Sequence, residues 1–145
     1  MKKNTKNVPS LSSDNLEDGV HITYHENGQK KDEGTYKNGE KNGLWIYNNK
    51  SGDKSYERIY KNGLKNGEYT VWFENGLIGE KGNYKDDKKD GICSYYYENG
   101  RLISKCQYKD GIRVGFEKVF DIDGNEVFDP DDQKFCLYIM DSLDD

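Results

Sequence analysis

The chain has 145 residues and a formal net charge of −5, with 34% charged residues, only 32% apolar residues, twelve Tyr, five Phe and two Trp. Its aromatic content and small net charge exclude the composition of a disordered chain, and its length is enough for one domain with a core. Richness in Tyr, Gly, Asn and Lys favours sheets with tight turns and excludes a compact helical bundle.

The net charge lies at the C-terminal end of the chain. Residues 19–128 carry eighteen basic and eighteen acidic residues, whereas residues 129–145 carry one lysine and six aspartates. Binding to nucleic acid needs a basic footprint, which a neutral central region lacks. We therefore expect no nucleic-acid partner.

Residues 1–17 predict a flexible N-terminal arm, because they are rich in Ser, Asn and Lys and lack the periodicity that follows. No apolar run follows their basic start, so we expect neither a signal peptide nor a transmembrane helix. The three cysteines, Cys93, Cys106 and Cys136, are an odd number without metal-site spacing. These features predict a reduced, cytoplasmic location, unless a leader peptide has been removed.

Residues 18–128 repeat with a period of 24 residues. Three columns keep that step, with Asp87 in place of one glycine: Gly28, Gly52, Gly76, Gly100 and Gly124; Gly19, Gly43, Gly67, Gly91 and Gly115; Gly39, Gly63 and Gly111. Aromatic residues keep half the period, at Tyr24, Tyr36, Tyr60, Trp72, Tyr84, Tyr96, Tyr108 and Phe120. Twelve residues hold a turn of about four and a strand of about eight, so each repeat predicts two strands.

The turn residues agree with hairpins. Asn-Gly pairs such as Asn38-Gly39 supply the positive φ angles of hairpin turns, and Asp87 is of a type that tolerates them. We predict an all-β fold in which tandem 24-residue β-hairpin repeats form an extended, curved, single-layer antiparallel meander sheet. Apolar residues occupy both parities of the strands, so the sequence leaves open which face meets water.

Residues 129–145 break the period and predict a short capping helix with an acidic tail. Asp129 is a suitable N-cap, Pro130 suits the first helical position, and Phe135, Tyr138 and Ile139 recur at helical spacing. We expect the helix over about 130–142, where it would cover the last strand and protect an exposed sheet edge.

No arrangement of residues predicts catalysis, a metal site or a cofactor. His21 and His25 lie four apart in a strand, about 13 Å along it, which is too far to share a metal ion. Cys93 and Cys106 flank a predicted turn and are expected to be neighbours, as buried free thiols. The glycine of the Asp121–Asn125 stretch is misplaced for a calcium loop and fits a hairpin turn. We expect a protein that is not an enzyme.

Two sets of side chains are candidate partner-binding residues. One is an aromatic series on one parity, which also suits packing between repeats: Trp45, Tyr47, Tyr69, Phe73, Tyr95 and Tyr97. The other is a column of lysines at the predicted turns, Lys37, Lys61, Lys85 and Lys109, with a second column four residues on, Lys41, Lys65, Lys89 and Arg113. Together the columns predict a ladder of cations along one sheet edge. A solvated row of turns, partly neutralised by Asp86, Asp87, Asp90 and Asp110, is the simpler interpretation, and a functional ladder would suit an acidic protein or anionic lipid.

The stretches YKNGEKNGLW (residues 36–45) and YKNGLKNGEY (residues 60–69) resemble the MORN repeat, the membrane occupation and recognition nexus motif, over about residues 19–127. Their Lys-Asn-Gly turns and 24-residue step are closer to the bacterial variant of the repeat than to the classical one. The bacterial variant is commonly associated with antitoxin or immunity proteins. The resemblance therefore implies a non-catalytic protein that binds and neutralises a cognate toxin.

Classical MORN arrays imply a different function, that of a structural scaffold or oligomerising adaptor that self-associates or contacts anionic membrane lipids. The repeat itself and the lysine columns fit this alternative. Neither function requires a cofactor.

Overall fold

Ten β-strands follow one another in the computed structural model, which describes residues 17–127. They are β1 (Gly19–Tyr24), β2 (Lys30–Lys37), β3 (Glu40–Asn48), β4 (Lys54–Lys61), β5 (Leu64–Trp72), β6 (Ile78–Lys85), β7 (Lys88–Lys89), β8 (Gly91–Tyr96), β9 (Leu102–Lys109) and β10 (Ile112–Val119). Each strand pairs antiparallel with the next, except that β7 and β8 both pair with β6 and occupy the same position beside it. The predicted all-β antiparallel meander is confirmed.

Other parts of the predicted architecture are not tested by this structure. The described residues contain no helix, and the capping helix predicted for residues 130–142 lies outside them. Residues 1–16 of the predicted arm also lie outside the described part. The curvature of the sheet stays a prediction.

Tight turns join the two strands of each hairpin along one edge of the sheet. Asn38 and Gly39 have φ angles of 51° and 76°, and Asn62 and Gly63 repeat this pattern. Asp87, which occupies the glycine column, has a φ of 68°. The predicted left-handed backbone at Asp87 is confirmed, and its carboxylate also accepts the Lys65 backbone N–H at 2.8 Å.

Five-residue loops join successive hairpins along the other edge. In the first, His25 N–H donates to the Gln29 carbonyl at 2.8 Å and Gly28 N–H donates to the His25 carbonyl at 2.9 Å. The same two bonds recur in the loops at 49–53, 73–77, 97–101 and 121–125. The fourth residue of each loop is a glycine with φ between 84° and 89°. This backbone explains the longest glycine column of the sequence.

Hydrogen bonds link each repeat to the next at both edges. At the loop edge, the side-chain amides of Asn27, Asn75 and Asn99 donate to the carbonyls of the following loops, Lys50, Glu98 and Ile122, at 2.6, 2.7 and 3.1 Å. At the tight-turn edge, the N–H groups of Gly63, Asp87 and Gly111 donate to the carbonyls of Lys41, Lys65 and Lys89. Repeats that have both bonds are held in register at two points outside the strand ladders.

The first strand has a different set of partners. The Asn38 N–H, which precedes the turn glycine, donates to the Asp18 carboxylate at 2.6 Å. His21 occupies the column of Trp45 and Tyr69, and its ring packs edge-on against Tyr36 at 4.7 Å. At β1, therefore, a carboxylate side chain bonds to the tight turn of the next hairpin, and a small polar ring takes the place of the large rings of later repeats.

The strand register separates two faces that the sequence left unresolved. Tyr47, Tyr56, Val71, Glu80 and Tyr95 are successive cross-strand partners and so share one face. We call this the aromatic face; it also carries Tyr36, Trp45, Arg58, Tyr60, Tyr69, Tyr84, Cys93, Cys106 and Tyr108. The opposite face carries exposed aliphatic residues among polar ones: Val20, Ile22, Leu44 and Ile92.

The core lies on the aromatic face, against glycines. The Trp45 ring lies on Gly34, where any Cβ atom would collide with it, and Gly82 gives the same room to Tyr69 and Cys93. Toward the C-terminal end, a cluster of buried residues continues the core: Tyr69, Cys93, Tyr95, Ile103, Cys106 and Val119. Large rings on a thin sheet are thus buried by approaching the backbone of the neighbouring strand.

One loop lacks the link to its successor, and this generates a prediction. Position 51 is equivalent to Asn27, Asn75 and Asn99 in the other loops but is a serine, although the loop backbone is the same. We expect Ser51→Asn to raise the free energy of unfolding by about 1 kcal/mol, by adding one hydrogen bond to the Glu74 carbonyl. Asn75→Ser should lower it by a similar amount, and urea unfolding would measure both. Equal stabilities of the two variants would contradict the proposed link.

Candidate binding surfaces

The aromatic series predicted from sequence divides into core and surface residues. Trp45 and Tyr69 are each 2% exposed and Tyr95 is 0% exposed, so these three rings pack inside the protein. Tyr47, Phe73 and Tyr97 are half-buried. Of this series, therefore, only the half-buried members present side-chain surface.

Tyr47 lies in an open part of the aromatic face that the sequence analysis did not assemble. Its ring stacks on Tyr56 from the next strand, with ring centres 4.1 Å apart and planes at 25°. The Arg58 guanidinium lies over the Tyr56 ring, 4.5 Å from the ring centroid. We call Asp32, Tyr47, Tyr56, Arg58 and Val71, all half-buried, the open patch.

Arg58 departs from the repeat pattern, and this departure is visible in the sequence. Positions 34, 58, 82 and 106 form one column, occupied by Gly, Arg, Gly and Cys. The small residues at positions 34 and 82 let rings lie on the backbone, whereas Arg58 places a cation among the rings of this face. Its Nε atom is buried and has no hydrogen-bond acceptor among the described residues. This departure from the column was the sequence signal for the open patch.

The tyrosine hydroxyls of the open patch are protonated at neutral pH. Burial raises the pKa of both Tyr47 and Tyr56 above the ordinary value of 10.0, and at Tyr56 the Arg58 cation opposes part of the rise. Lys41 Nζ donates to the Tyr47 hydroxyl at 2.7 Å and lies 4.4 Å from the Trp45 ring centre. The patch therefore offers hydroxyl donors, ring faces and a cation in a preorganised arrangement.

The two lysine columns lie on opposite faces. Lys37 pairs with Glu40 across its turn, whereas Lys41 pairs with Tyr36 on the aromatic face. Lys41, Lys65 and Lys89 each lie over tyrosine rings, at 4.8 to 5.6 Å from their centres. Both columns follow the tight-turn edge, as two rows on opposite faces, because successive strand positions alternate between faces. The exposed row is Lys37, Lys61, Lys85 and Lys109.

A buried polar network lies beside the open patch. Glu80, 2% exposed, pairs with Lys89 at 2.9 Å and accepts the Tyr69 hydroxyl at 2.5 Å. The Tyr95 hydroxyl contacts Lys89 at 3.3 Å and Tyr108 at 3.1 Å. Burial, followed by the Glu80 carboxylate, raises the pKa of Tyr69 and Tyr95 well above 10.0. The network is satisfied internally and shielded from water, so it acts as a polar core.

The cysteines and histidines have structural partners. Cys93 and Cys106 are directly opposite in β8 and β9, both buried and not joined by a disulfide, which confirms that they are neighbours across the hairpin. Burial raises the pKa of the Cys93 thiol, which disfavours its reactive thiolate. His21 and His25 contact different backbone carbonyls, those of Glu17 and Asn48. The described residues contain no group of side chains suited to a metal ion.

Two of the five-residue loops contain polar groups that could suggest a binding site. Backbone N–H groups of Asn125 and Asp123 bond to the Asp121 carboxylate and lower its pKa, which fits a loop cap. An open pocket of about 420 Å³ lies at the first long loop, lined by Tyr24, His25, Glu26, Asn27, Lys31 and Lys50. Its His25 and Asn27 are already engaged with backbone carbonyls, so its polar groups do not converge on a ligand.

Comparison with known families identifies two stretches of the chain. Residues 17–38 and 89–110 match the MORN repeat variant. From 17 to 89 is 72 residues, or three periods of 24, so both matches fall on the same part of the repeat. The MORN part of the resemblance is confirmed for these stretches. No curated protein matches the sequence. Across residues 17–127 no helix is long and apolar enough to cross a membrane.

The buried ion pair predicts a large effect of one substitution. Glu80→Ala leaves Lys89, whose side chain is 15% exposed, without its carboxylate, and should lower the free energy of unfolding by about 3 kcal/mol. Glu57→Ala removes an equivalent pair with Lys54 near the surface and should cost less than about 1 kcal/mol. Denaturant unfolding compares the two variants. Similar losses of unfolding free energy would show that the buried pair contributes no more to stability than the surface pair.

The raised tyrosine pKa values predict a loss of stability in alkali. Below about pH 10 the folded and unfolded chains both keep the Tyr69 and Tyr95 protons, so these groups add no pH dependence. Above it the unfolded chain releases protons that the folded chain retains. Stability should then fall by up to about 1.4 kcal/mol per pH unit for each tyrosine. Tyr95→Phe should make the fall shallower in unfolding curves between pH 9 and 11; an unchanged slope would contradict this assignment.

Proposed function

We propose that this protein is a non-catalytic protein-binding module and that its partner is a toxin, which it neutralises as an antitoxin or immunity protein. The observation that carries the proposal is the open patch. Tyr and Arg are the residues that most often dominate binding energy at protein interfaces. Here stacked Tyr47 and Tyr56 rings hold the Arg58 side chain at the surface of a rigid sheet.

The non-catalytic part of the proposal has its own support. Within residues 17–127, the network around Glu80 and Tyr95 brings several titratable groups together, and burial closes it to a substrate. The open patch combines a cation, an acid and two rings without a nucleophile. This surface is therefore better suited to binding a partner than to catalysis.

The toxin as partner is supported by the resemblance of the Lys-Asn-Gly repeats to the bacterial MORN variant. A cytoplasmic location belongs to the same proposal. The thiols of Cys93 and Cys106 are directly opposed without a disulfide between them, which suits a reducing compartment.

A structural scaffold at an anionic membrane is the second candidate. Lys37, Lys61, Lys85 and Lys109 form an exposed row along the tight-turn edge, one in every second strand and about 10 Å apart. Such a row can lie flat on a charged surface, where each cation contributes about 1 kcal/mol.

Two double variants discriminate between the candidates. We expect Tyr56→Ala with Arg58→Ala to weaken binding of a toxin encoded beside the gene at least about 100-fold in calorimetry, and to abolish growth rescue on co-expression. Lys61→Glu with Lys85→Glu, the matched surface control, should change affinity only a few-fold. Circular dichroism would verify that both variants fold.

The opposite pattern would support the scaffold. In that case the wild-type protein would sediment with anionic vesicles in a salt-sensitive manner, and the lysine variant would not. Failure of the wild-type protein to bind or neutralise the neighbouring gene product would refute the toxin partner.

A further inference from the structure

The middle of the aromatic face carries two cations without an acid beside them. Positions 32, 56, 80 and 104 form one column of this face, occupied by Asp, Tyr, Glu and Ser. An acid therefore stands in the column at the first and third positions, whereas the second is Tyr56. Arg58 and Lys65 lie nearby on the same face, and both are half-buried.

The lysine column of this face shows what the missing acid would do. Lys89 pairs with the Glu80 carboxylate at 2.9 Å and donates to the Tyr95 hydroxyl at 3.3 Å. Lys41 donates to the Tyr47 hydroxyl at 2.7 Å. At both positions the ammonium group therefore has an oxygen acceptor on the aromatic face.

Lys65, the lysine between these two, has neither kind of acceptor. The place of the acid is taken by Tyr56, and the place of the hydroxyl is taken by Val71. Within residues 17–127, the Lys65 ammonium lies over the Tyr84 ring, 4.8 Å from its centre, and forms no ion pair. An ammonium group has three N–H donors, so this contact leaves Lys65 able to bind an anion.

Arg58 also lacks an acceptor. Its guanidinium lies over the Tyr56 ring, and its buried Nε atom has no acceptor in the described part of the chain. Asp32 and Glu80 are each two strands from Tyr56, about 10 Å away. Glu80 is already paired with Lys89. A buried N–H group without an acceptor is costly, so an oxygen from outside the chain would stabilise this arrangement.

We propose that Arg58 and Lys65 bind carboxylates of an acidic segment on a protein partner. This inference rests on the proposed function, because it takes the open patch as the binding surface and extends it to Lys65. A guanidinium binds a carboxylate through two parallel N–H bonds, and a lysine adds a point charge. The acceptor must reach a buried nitrogen, which a projecting Asp or Glu side chain can do and a flat layer of lipid headgroups cannot.

A matched pair of variants tests whether the two cations respond to a carboxylate. Tyr56→Glu introduces the acid that position 80 carries, and Tyr56→Gln is its uncharged control. We expect the Glu variant to have a folding equilibrium constant about tenfold higher at neutral pH, because Arg58 and Lys65 gain a charged acceptor. This advantage should disappear below about pH 4, where the carboxyl group is protonated. Equal stabilities in urea at neutral pH would overturn the proposal.

Binding to the wild-type chain is tested with a small carboxylate probe, N-acetylglutamate methylamide. It is titrated into isotope-labelled protein while NMR follows the Arg58 Nε–H signal, which is identified by its loss in Arg58→Lys. We expect a saturable shift with a Kd on the order of 10 mM, and no shift with the corresponding glutamine compound. No shift with the carboxylate, or an equal shift with the glutamine compound, would contradict the Arg58 contact.

A peptide with several glutamates tests the second cation. It should bind more tightly than the single-carboxylate probe, and Lys65→Gln should remove that gain. A gain that survives Lys65→Gln would exclude Lys65 from the site.

Inorganic phosphate and phosphatidylserine vesicles are the competing anions. A shift of the Arg58 signal with phosphate alone, or binding to vesicles alone, would refute a carboxylate ligand. None of these measurements uses the toxin, so the two proposals can fail separately. Carboxylate binding without binding of the neighbouring gene product would refute the toxin and leave an acidic partner, whereas the reverse result would refute the carboxylate contacts alone.

Discussion

The hydrogen bonds that join equivalent positions of successive repeats are the constraint on which the structure depends. A single two-stranded hairpin is marginally stable in water, because it has too little apolar surface to bury. Here the turn at Gly63 bonds to Lys41 at one edge and the amide of Asn27 bonds to Lys50 at the other. These two points fix the first hairpins against each other, so that rings such as Trp45 meet glycine backbone.

The same constraint explains how function can vary while the fold stays constant. Glycines and asparagines at the edges maintain the register, and the strand centres between them are open to substitution. Position 58 is an arginine, whereas the equivalent positions 34 and 82 in the neighbouring repeats are glycines. Position 80 is a buried glutamate, whereas the equivalent position 56 is a half-buried tyrosine. A repeat array of this kind acquires individual sites by local departures from its own pattern.

The sequence predicted the backbone better than it predicted the faces. Turn positions followed from Asn-Gly chemistry, and even Asp87 was anticipated, because positive φ angles admit few residue types. The pairing of Cys93 with Cys106 followed from the turn between them. The identity of the buried face did not follow, because both parities carry apolar residues and β-bulges shift the register. The aromatic residues spaced by twelve illustrate this, since Tyr60 faces the core and Trp72, one position beyond Val71, lies on the opposite face.

The polar first strand has a consequence for the number of repeats. An open sheet whose repeats are all alike could in principle grow by adding another chain to its first strand, which would give fibres. His21 is smaller and more polar than the tryptophan or tyrosine of later repeats, and the Asp18 carboxylate already occupies the N–H group of Asn38. An incoming hairpin would therefore meet a small polar ring at this position, where successive repeats of the array meet Trp45 or Tyr69. His21 thereby makes the addition of a further chain at β1 less favourable than the contact between repeats inside the array.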